Sequence, residues 1–77
     1  MDTNELNKIY MELRAKFENG RMSLNEIKDI TDRFNKEYDS YVEFRKISYM
    51  TPVYTKDLRR LCINFSDLRK RALEVAY

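Results

Sequence analysis

A seam of apolar residues spaced alternately three and four apart runs through the last part of the sequence. Spacing of this kind places every member on one side of a helix with 3.6 residues per turn. It predicts a long C-terminal helix from Lys56 to about Ala76, capped by Thr55. A bend or break at Ser66 is an alternative, because serine can also cap a second helix. The seam consists of Leu58, Leu61, Phe65, Leu68, Ala72 and Val75.

Two helices are expected before this one. The first is predicted over residues 4–18, starting from a cap at Asp2 or Thr3 and ending before Gly20, which can adopt the left-handed conformation. The second is predicted to start after Ser23, where Glu26 completes a capping box. Because the turn between them is short, we expect the two helices to form an antiparallel hairpin. A hydrophobic staple between Met22 and Ile27 supports the second start.

Residues 39–55 permit three interpretations. The second helix can continue to about Tyr49, or Ser40 and Glu43 can form a capping box that starts a short separate helix. A strand is the third possibility, because tyrosine, valine, phenylalanine and isoleucine are dense in this segment. We expect the segment to be helical to about Met50, since Pro52 disfavours helical geometry in the residue before it.

Together these patterns predict an all-α fold, a small bundle of three to four helices in one domain covering residues 1–77. A chain of 77 residues is short enough for a single core. The expected core residues are Leu6, Ile9, Leu13, Phe17, Ile27, Ile30, Phe34, Leu58, Leu61, Phe65 and Leu68.

The composition argues against an enzyme or a cofactor-binding protein. The sequence has no histidine, one glycine and one cysteine, Cys62. General base catalysis therefore lacks its commonest side chain, a structural zinc site lacks ligands, and a glycine-rich phosphate-binding loop is excluded. We expect no catalytic residue, no metal and no cofactor.

A cytoplasmic, reducing location is expected for this chain. A single cysteine cannot form an intramolecular disulfide, and no long apolar run resembles a signal peptide or a membrane span. The richness in lysine, asparagine, isoleucine and tyrosine is typical of AT-rich genomes, so a bacterial or phage origin is expected, with the host cytoplasm as the location if the protein is viral. We expect no membrane contact.

Aromatic and apolar residues outside the seam indicate a binding surface. Tyrosine is enriched in the centres of protein interfaces, and apolar residues off the seam are left without an obvious packing partner. The favoured hypothesis is a small adaptor or inhibitor that binds and modulates a larger protein. The candidate partner-binding residues are Tyr41, Tyr49, Met50, Val53, Tyr54, Ile63 and Leu73.

Two other kinds of partner stay open. Residues 56–77 hold six basic and three acidic side chains, so the last helix could contact phosphates of a nucleic acid, although exposed basic residues are common on any helix. The candidate phosphate contacts are Arg59, Arg60, Arg69, Lys70 and Arg71. The apolar seam could also pair with a second copy of the chain to form a homodimer.

Overall fold

The computed structural model describes residues 3–20, 22–47 and 52–76, with the side chains of 42–47 and 52–55 excepted. Three helices occupy these ranges: α1 is Thr3–Glu18, α2 is Leu24–Ile47 and α3 is Pro52–Val75. The described part of the chain is therefore all-helical. Each helix contacts the other two, and the chain extends over 42 × 19 × 15 Å. The expected cap at Asp2 lies outside the described residues.

The uncertain connecting segment belongs to α2 up to Ile47. Ser40 lies inside this continuous helix, so it does not start a separate one, and the described residues of the segment form no strand. The last helix starts earlier than expected, because Pro52 is its first residue. Proline is favoured at this position, where its missing N–H would have no helical partner. Thr55 is therefore inside α3, and its predicted role as the N-cap is wrong.

The buried core joins all three helices. The predicted core residues are all buried except Phe17, which is partly buried against the others. Met22, Tyr41 and Ala72 are also buried, and α3 runs without a break past Ser66. The core consists of Leu6, Ile9, Leu13, Met22, Ile27, Ile30, Phe34, Tyr41, Leu58, Leu61, Phe65, Leu68 and Ala72.

Specific contacts connect the helices around this core. The rings of Phe34 on α2 and Phe65 on α3 stack with their centroids 3.8 Å apart and an angle of 7° between the planes. On the surface, Arg33 of α2 donates a hydrogen bond of 2.8 Å to Glu12 of α1. Because α1 and α2 already bury the seam of α3 as far as Ala72, the seam is not available to pair with a second copy of the chain.

The turn between α1 and α2 follows its predicted geometry. Gly20 has a φ of +89°, in the left-handed region that glycine adopts without steric cost. Ser23 caps α2, since its Oγ accepts a hydrogen bond of 3.2 Å from the backbone N–H of Glu26. Met22 and Ile27 on either side of the cap are both buried, as a hydrophobic staple requires.

Removal of this cap is expected to destabilise the protein. In Ser23→Ala the first turn of α2 loses a hydrogen-bond acceptor, so we expect the free energy of unfolding to fall by about 1 kcal/mol. Urea denaturation followed by circular dichroism measures the change. Ser66→Ala, at an exposed position inside α3, is the control and should be within about 0.5 kcal/mol of the wild type. Equal effects of the two substitutions would contradict the capping role.

Thr31 of α2 carries a buried polar atom that has no partner among the described residues. Its Oγ1 makes no hydrogen bond with any residue that the structure describes. Since an unsatisfied buried hydroxyl is costly, the isosteric Thr31→Val should raise the free energy of unfolding by about 1 kcal/mol. Thr31→Ser is the matched control, because it keeps the hydroxyl and loses the methyl group. In thermal denaturation, Tm should be highest for the valine variant, lower for the wild type and lowest for the serine variant. A valine variant less stable than the wild type would contradict the expectation.

Candidate functional site

One of the predicted binding residues between positions 41 and 54 lies in the core, and the side chains of the others are outside the described part of the structure. Tyr41 is 1% exposed and belongs to the core, so its predicted place on a binding surface is corrected. Tyr49 and Met50 lie outside the described residues. Val53 and Tyr54 are in the first turn of α3, and their side chains lie outside the described ones.

Ile63 and Leu73 are on the surface of α3. Their side chains are 61% and 41% exposed. On a helix of 3.6 residues per turn, Ile63 lies almost opposite the buried seam, so neither α1 nor α2 can cover it. Ile63 therefore does not pack under another element of the described chain, and Leu73 does so only in part.

The consecutive basic residues of α3 point in different directions. Successive helical residues are about 100° apart, so Arg69, Lys70 and Arg71 cannot share one face. Arg69 is half-buried and lines a groove between α2 and α3. Arg71 lies on the other side, where its guanidinium carbon is 5.4 Å from the centre of the Phe17 ring of α1. Lys70 alone of the three is on the side of Ile63.

A second, exposed stripe runs along α3 and includes both Ile63 and Leu73. Its members are again spaced alternately three and four apart, and each one is exposed. The spacing of apolar residues in the sequence does not reveal this stripe, because four of its side chains are polar. We call it the outer stripe; it consists of Lys56, Arg59, Ile63, Ser66, Lys70 and Leu73.

The charges of the outer stripe differ from those of α1. The basic residues of α1 are paired along that helix: Lys8 with Glu5 at 3.6 Å, Arg14 with Glu18 at 3.0 Å, and Lys16 with Glu12 at 3.9 Å. The hydrogen bond to Glu18 also raises the pKa of the Arg14 guanidinium.

In contrast, the outer-stripe cations Lys56, Arg59 and Lys70 make no ion pair with any residue in the described ranges. Arg60, beside the stripe, is also exposed and without an ion pair there. The side of α3 that faces away from the core therefore combines an exposed isoleucine with four cations that have no ion pair within the described ranges, and it also carries the exposed Asp67 and Glu74.

Two open depressions adjoin Ile63. One, of about 300 Å³, lies among Lys56, Arg59, Arg60 and Ile63. The other, of about 430 Å³, is lined by four members of the outer stripe together with Cys62 and Asp67. Both lie on the outside of α3 and are wide open to solvent.

Cys62 borders this face but has the character of a structural cysteine. Its side chain is half-buried, and burial raises the pKa of its thiol. Because the thiolate is the reactive form, at pH 8 the folded protein should react with Ellman's reagent several-fold more slowly than the urea-unfolded chain. A cysteine in a short peptide, measured in both solvents, is the control for the effect of urea. A native rate equal to the unfolded one would contradict the expectation.

Other kinds of site find no support in the described residues. No group of three or more histidine, cysteine, aspartate or glutamate side chains is placed there to hold a metal ion. No helix in that part of the chain has the length and the apolar character needed to cross a membrane. Comparison of the chain with models of protein families, with curated proteins and with solved structures found no match.

Proposed function

We propose that the protein is a non-enzymatic interaction module, an adaptor or inhibitor that binds a larger protein through the outer stripe of α3. The observation that carries this proposal is the exposure of Ile63, at 61%, between cations that have no ion pair within the described residues. A branched apolar side chain at this position adds nothing to the core of the chain itself. It gains free energy when a partner removes it from water.

Energetic considerations favour a contact centred on Ile63. Complete burial of an isoleucine side chain is worth about 1.5 to 3 kcal/mol, and binding energy at interfaces is concentrated in a few central residues. The surrounding cations would form the polar rim and increase the rate of association with an acidic partner.

The test compares two substitutions at exposed apolar positions. Ile63→Glu replaces the exposed apolar side chain of the outer stripe by a carboxylate. Met11→Glu makes the same change on α1, where Met11 is 48% exposed. Tagged wild type and variants are used to purify partners from cells that naturally express the chain. We expect a protein that binds wild type and Met11→Glu and is lost with Ile63→Glu. The same partners for all three, or no protein partner, would contradict the proposal.

Binding of a nucleic acid is the second candidate function. The exposed cations Lys56, Arg59, Arg60 and Lys70 favour it, since each could contact a phosphate. Arg69 and Arg71 contribute less, because they lie on opposite sides of α3. Asp67 and Glu74, which are exposed on the same helix, oppose it by repelling phosphates.

An electrophoretic mobility shift distinguishes this second candidate. If the chain binds nucleic acid, it shifts a DNA or RNA duplex at low salt, and the shift weakens steeply as salt is added. The double variant Arg59→Glu with Lys70→Glu should lose this shift. Lys8→Glu combined with Lys16→Glu on α1 has the same net charge and is the control. Equal losses in the two double variants would indicate attraction by net charge alone, and no shift at low salt would exclude this function.

A further inference from the structure

We infer that the groove between α2 and α3 binds a small organic anion, a monocarboxylate whose charged end pairs with Arg69. This site is separate from the contact centred on Ile63 and does not depend on the proposed function. Three properties of the groove carry the assignment: its construction, its charge and its size.

The groove is formed by one side of each helix. On α2 its wall residues lie four and then three positions apart, and on α3 the spacing is the same, so each set lies on a single side of its helix. Between the two sets, the stacked rings of Phe34 and Phe65 form the base. The walls are Thr31, Asn35 and Tyr38 of α2 and Cys62, Ser66 and Arg69 of α3.

Arg69 gives the groove a positive charge. Its side chain is half-buried and has no ion pair or hydrogen bond with any residue in the described ranges. No carboxylate of the described chain lines the groove. A guanidinium that has lost part of its contact with water and has no anion beside it attracts a negative group more strongly than a fully exposed one does.

The groove on the other side of α3 differs in its charge. Between α1 and α3, a groove of about 350 Å³ is lined by Arg14 and Arg71 together with Glu18 and Asp67. Arg14 is paired with Glu18 there at 3.0 Å. Two carboxylates match the two arginines in that groove, so of these two grooves only the one between α2 and α3 has a net positive lining.

Neighbouring side chains add hydrogen-bond donors beside Arg69. Asn35 and Ser66 are exposed, and neither side chain has a hydrogen-bond partner within the described part of the chain. The guanidinium is a planar fork that matches both oxygens of a carboxylate, and an amide N–H and a hydroxyl can donate to the same oxygens. A carboxylate balances the single charge of Arg69, whereas a phosphate ester carries about 1.5 to 2 negative charges and would leave an excess.

The size and the base of the groove define the rest of the ligand. The groove has a volume of about 290 Å³. This is at the lower limit of small-molecule sites, which span about 300 to 1,000 Å³. The rings of Phe34 and Phe65 at the base, with the half-buried Tyr38 and Cys62 in the walls, offer apolar contacts. The expected ligand is therefore a carboxylate on a single aromatic ring or a short alkyl chain.

Nuclear magnetic resonance of the full chain tests this site. Isotope-labelled protein is titrated with phenylacetate and, as the matched control, with phenylacetamide, which has the same ring and no charge. We expect phenylacetate to bind with a Kd of about 1 mM or tighter and to shift the side-chain N–H signals of Asn35 and Arg69. The side-chain signal of Asn64, in the groove between α1 and α3, should stay unchanged. Phenylacetamide should bind about ten times more weakly, because it lacks the charge that pairs with the guanidinium.

Two substitutions of arginine on α3 locate the charge that binds. Arg69→Gln should weaken binding of phenylacetate about tenfold, because it removes the cation of the groove. Arg71→Gln has the same net charge and alters the other groove, so it should leave the affinity nearly unchanged. Asn35→Ala, at an exposed position, is a second variant that should weaken binding severalfold even if Arg69→Gln fails to fold.

Several results would overturn the inference. They are the absence of shifts with about 10 mM phenylacetate, equal affinities for the acid and the amide, and equal losses in the two arginine variants. Shifts centred on Asn64 or Ile63 instead of Arg69 would also overturn it. The loss of a protein partner in Ile63→Glu is measured independently, so the failure of this site and the failure of the proposed function are distinguishable.

Discussion

Replacement of Leu13 by alanine is expected to lower the free energy of unfolding by about 3 to 4 kcal/mol. Leu13 is 0% exposed and belongs to the core of α1, so the substitution loses buried apolar surface and leaves a cavity. Average values per residue give a chain of this size a total stability of about 4 to 12 kcal/mol. The loss is therefore a large part of the total, and the variant should be partly unfolded at 37 °C if the total is near the lower limit.

Urea denaturation with circular dichroism measures this loss. Met11→Ala is the matched control on the same helix, because Met11 is 48% exposed and its truncation should change stability by less than about 0.5 kcal/mol. If Leu13→Ala and Met11→Ala had similar effects, the packing of α1 against α2 and α3 described above would be contradicted.

Replacement of Phe65 by alanine is expected to cost about 3 to 5 kcal/mol. Phe65 is buried, and its ring stacks on that of Phe34 at 3.8 Å, so the variant loses both its own burial and this aromatic contact between α2 and α3. Thermal denaturation should show a large fall in Tm, at about 4 to 8 °C for each kcal/mol in a domain of this size. Ile63→Ala, exposed on the same helix, is the control and should leave Tm nearly unchanged.

A double-mutant cycle isolates the stacking contact. Phe34→Leu, Phe65→Leu and the double variant keep an apolar side chain at each position, and we expect a coupling of about 0.5 to 1.5 kcal/mol between the two rings. Additive effects would show that the rings contribute through burial and not through their contact.

Much of the fold follows from patterns along the chain. Leu58, Leu61 and Leu68 are buried as their spacing predicts, and the capping box at Ser23 and Glu26 locates the start of α2. These predictions succeed because helical periodicity and capping are local: they depend on residues within a few positions of each other. The start of α3 at Pro52 was missed because Thr55 offered a second, equally local signal.

The candidate surface was less predictable. Tyrosine is a residue type common in protein interfaces, but Tyr41 is buried in the core. Whether a side chain lies in the core or on the surface depends on which faces the neighbouring helices cover. Arg69, Lys70 and Arg71 form one cluster in the sequence and are separated in the structure by the rotation of the helix. Of the outer stripe, Ile63 and Leu73 were identifiable in advance as apolar residues off the seam, whereas Lys56 and Ser66 were not.

The sequence alone therefore establishes that the last helix has an apolar seam and that Ile63 lies off it, since both statements require nothing beyond the geometry of one helix. The packing of three helices decides that the seam is buried as far as Ala72, while Val75 at its end stays 67% exposed. It also decides that Ile63 faces away from the core, with Arg69 turned toward α2 and Arg71 toward α1. The physical reason is that burial is a property of contacts between distant segments. A pattern within one segment can indicate which face needs a partner, but the other helices decide which faces are covered.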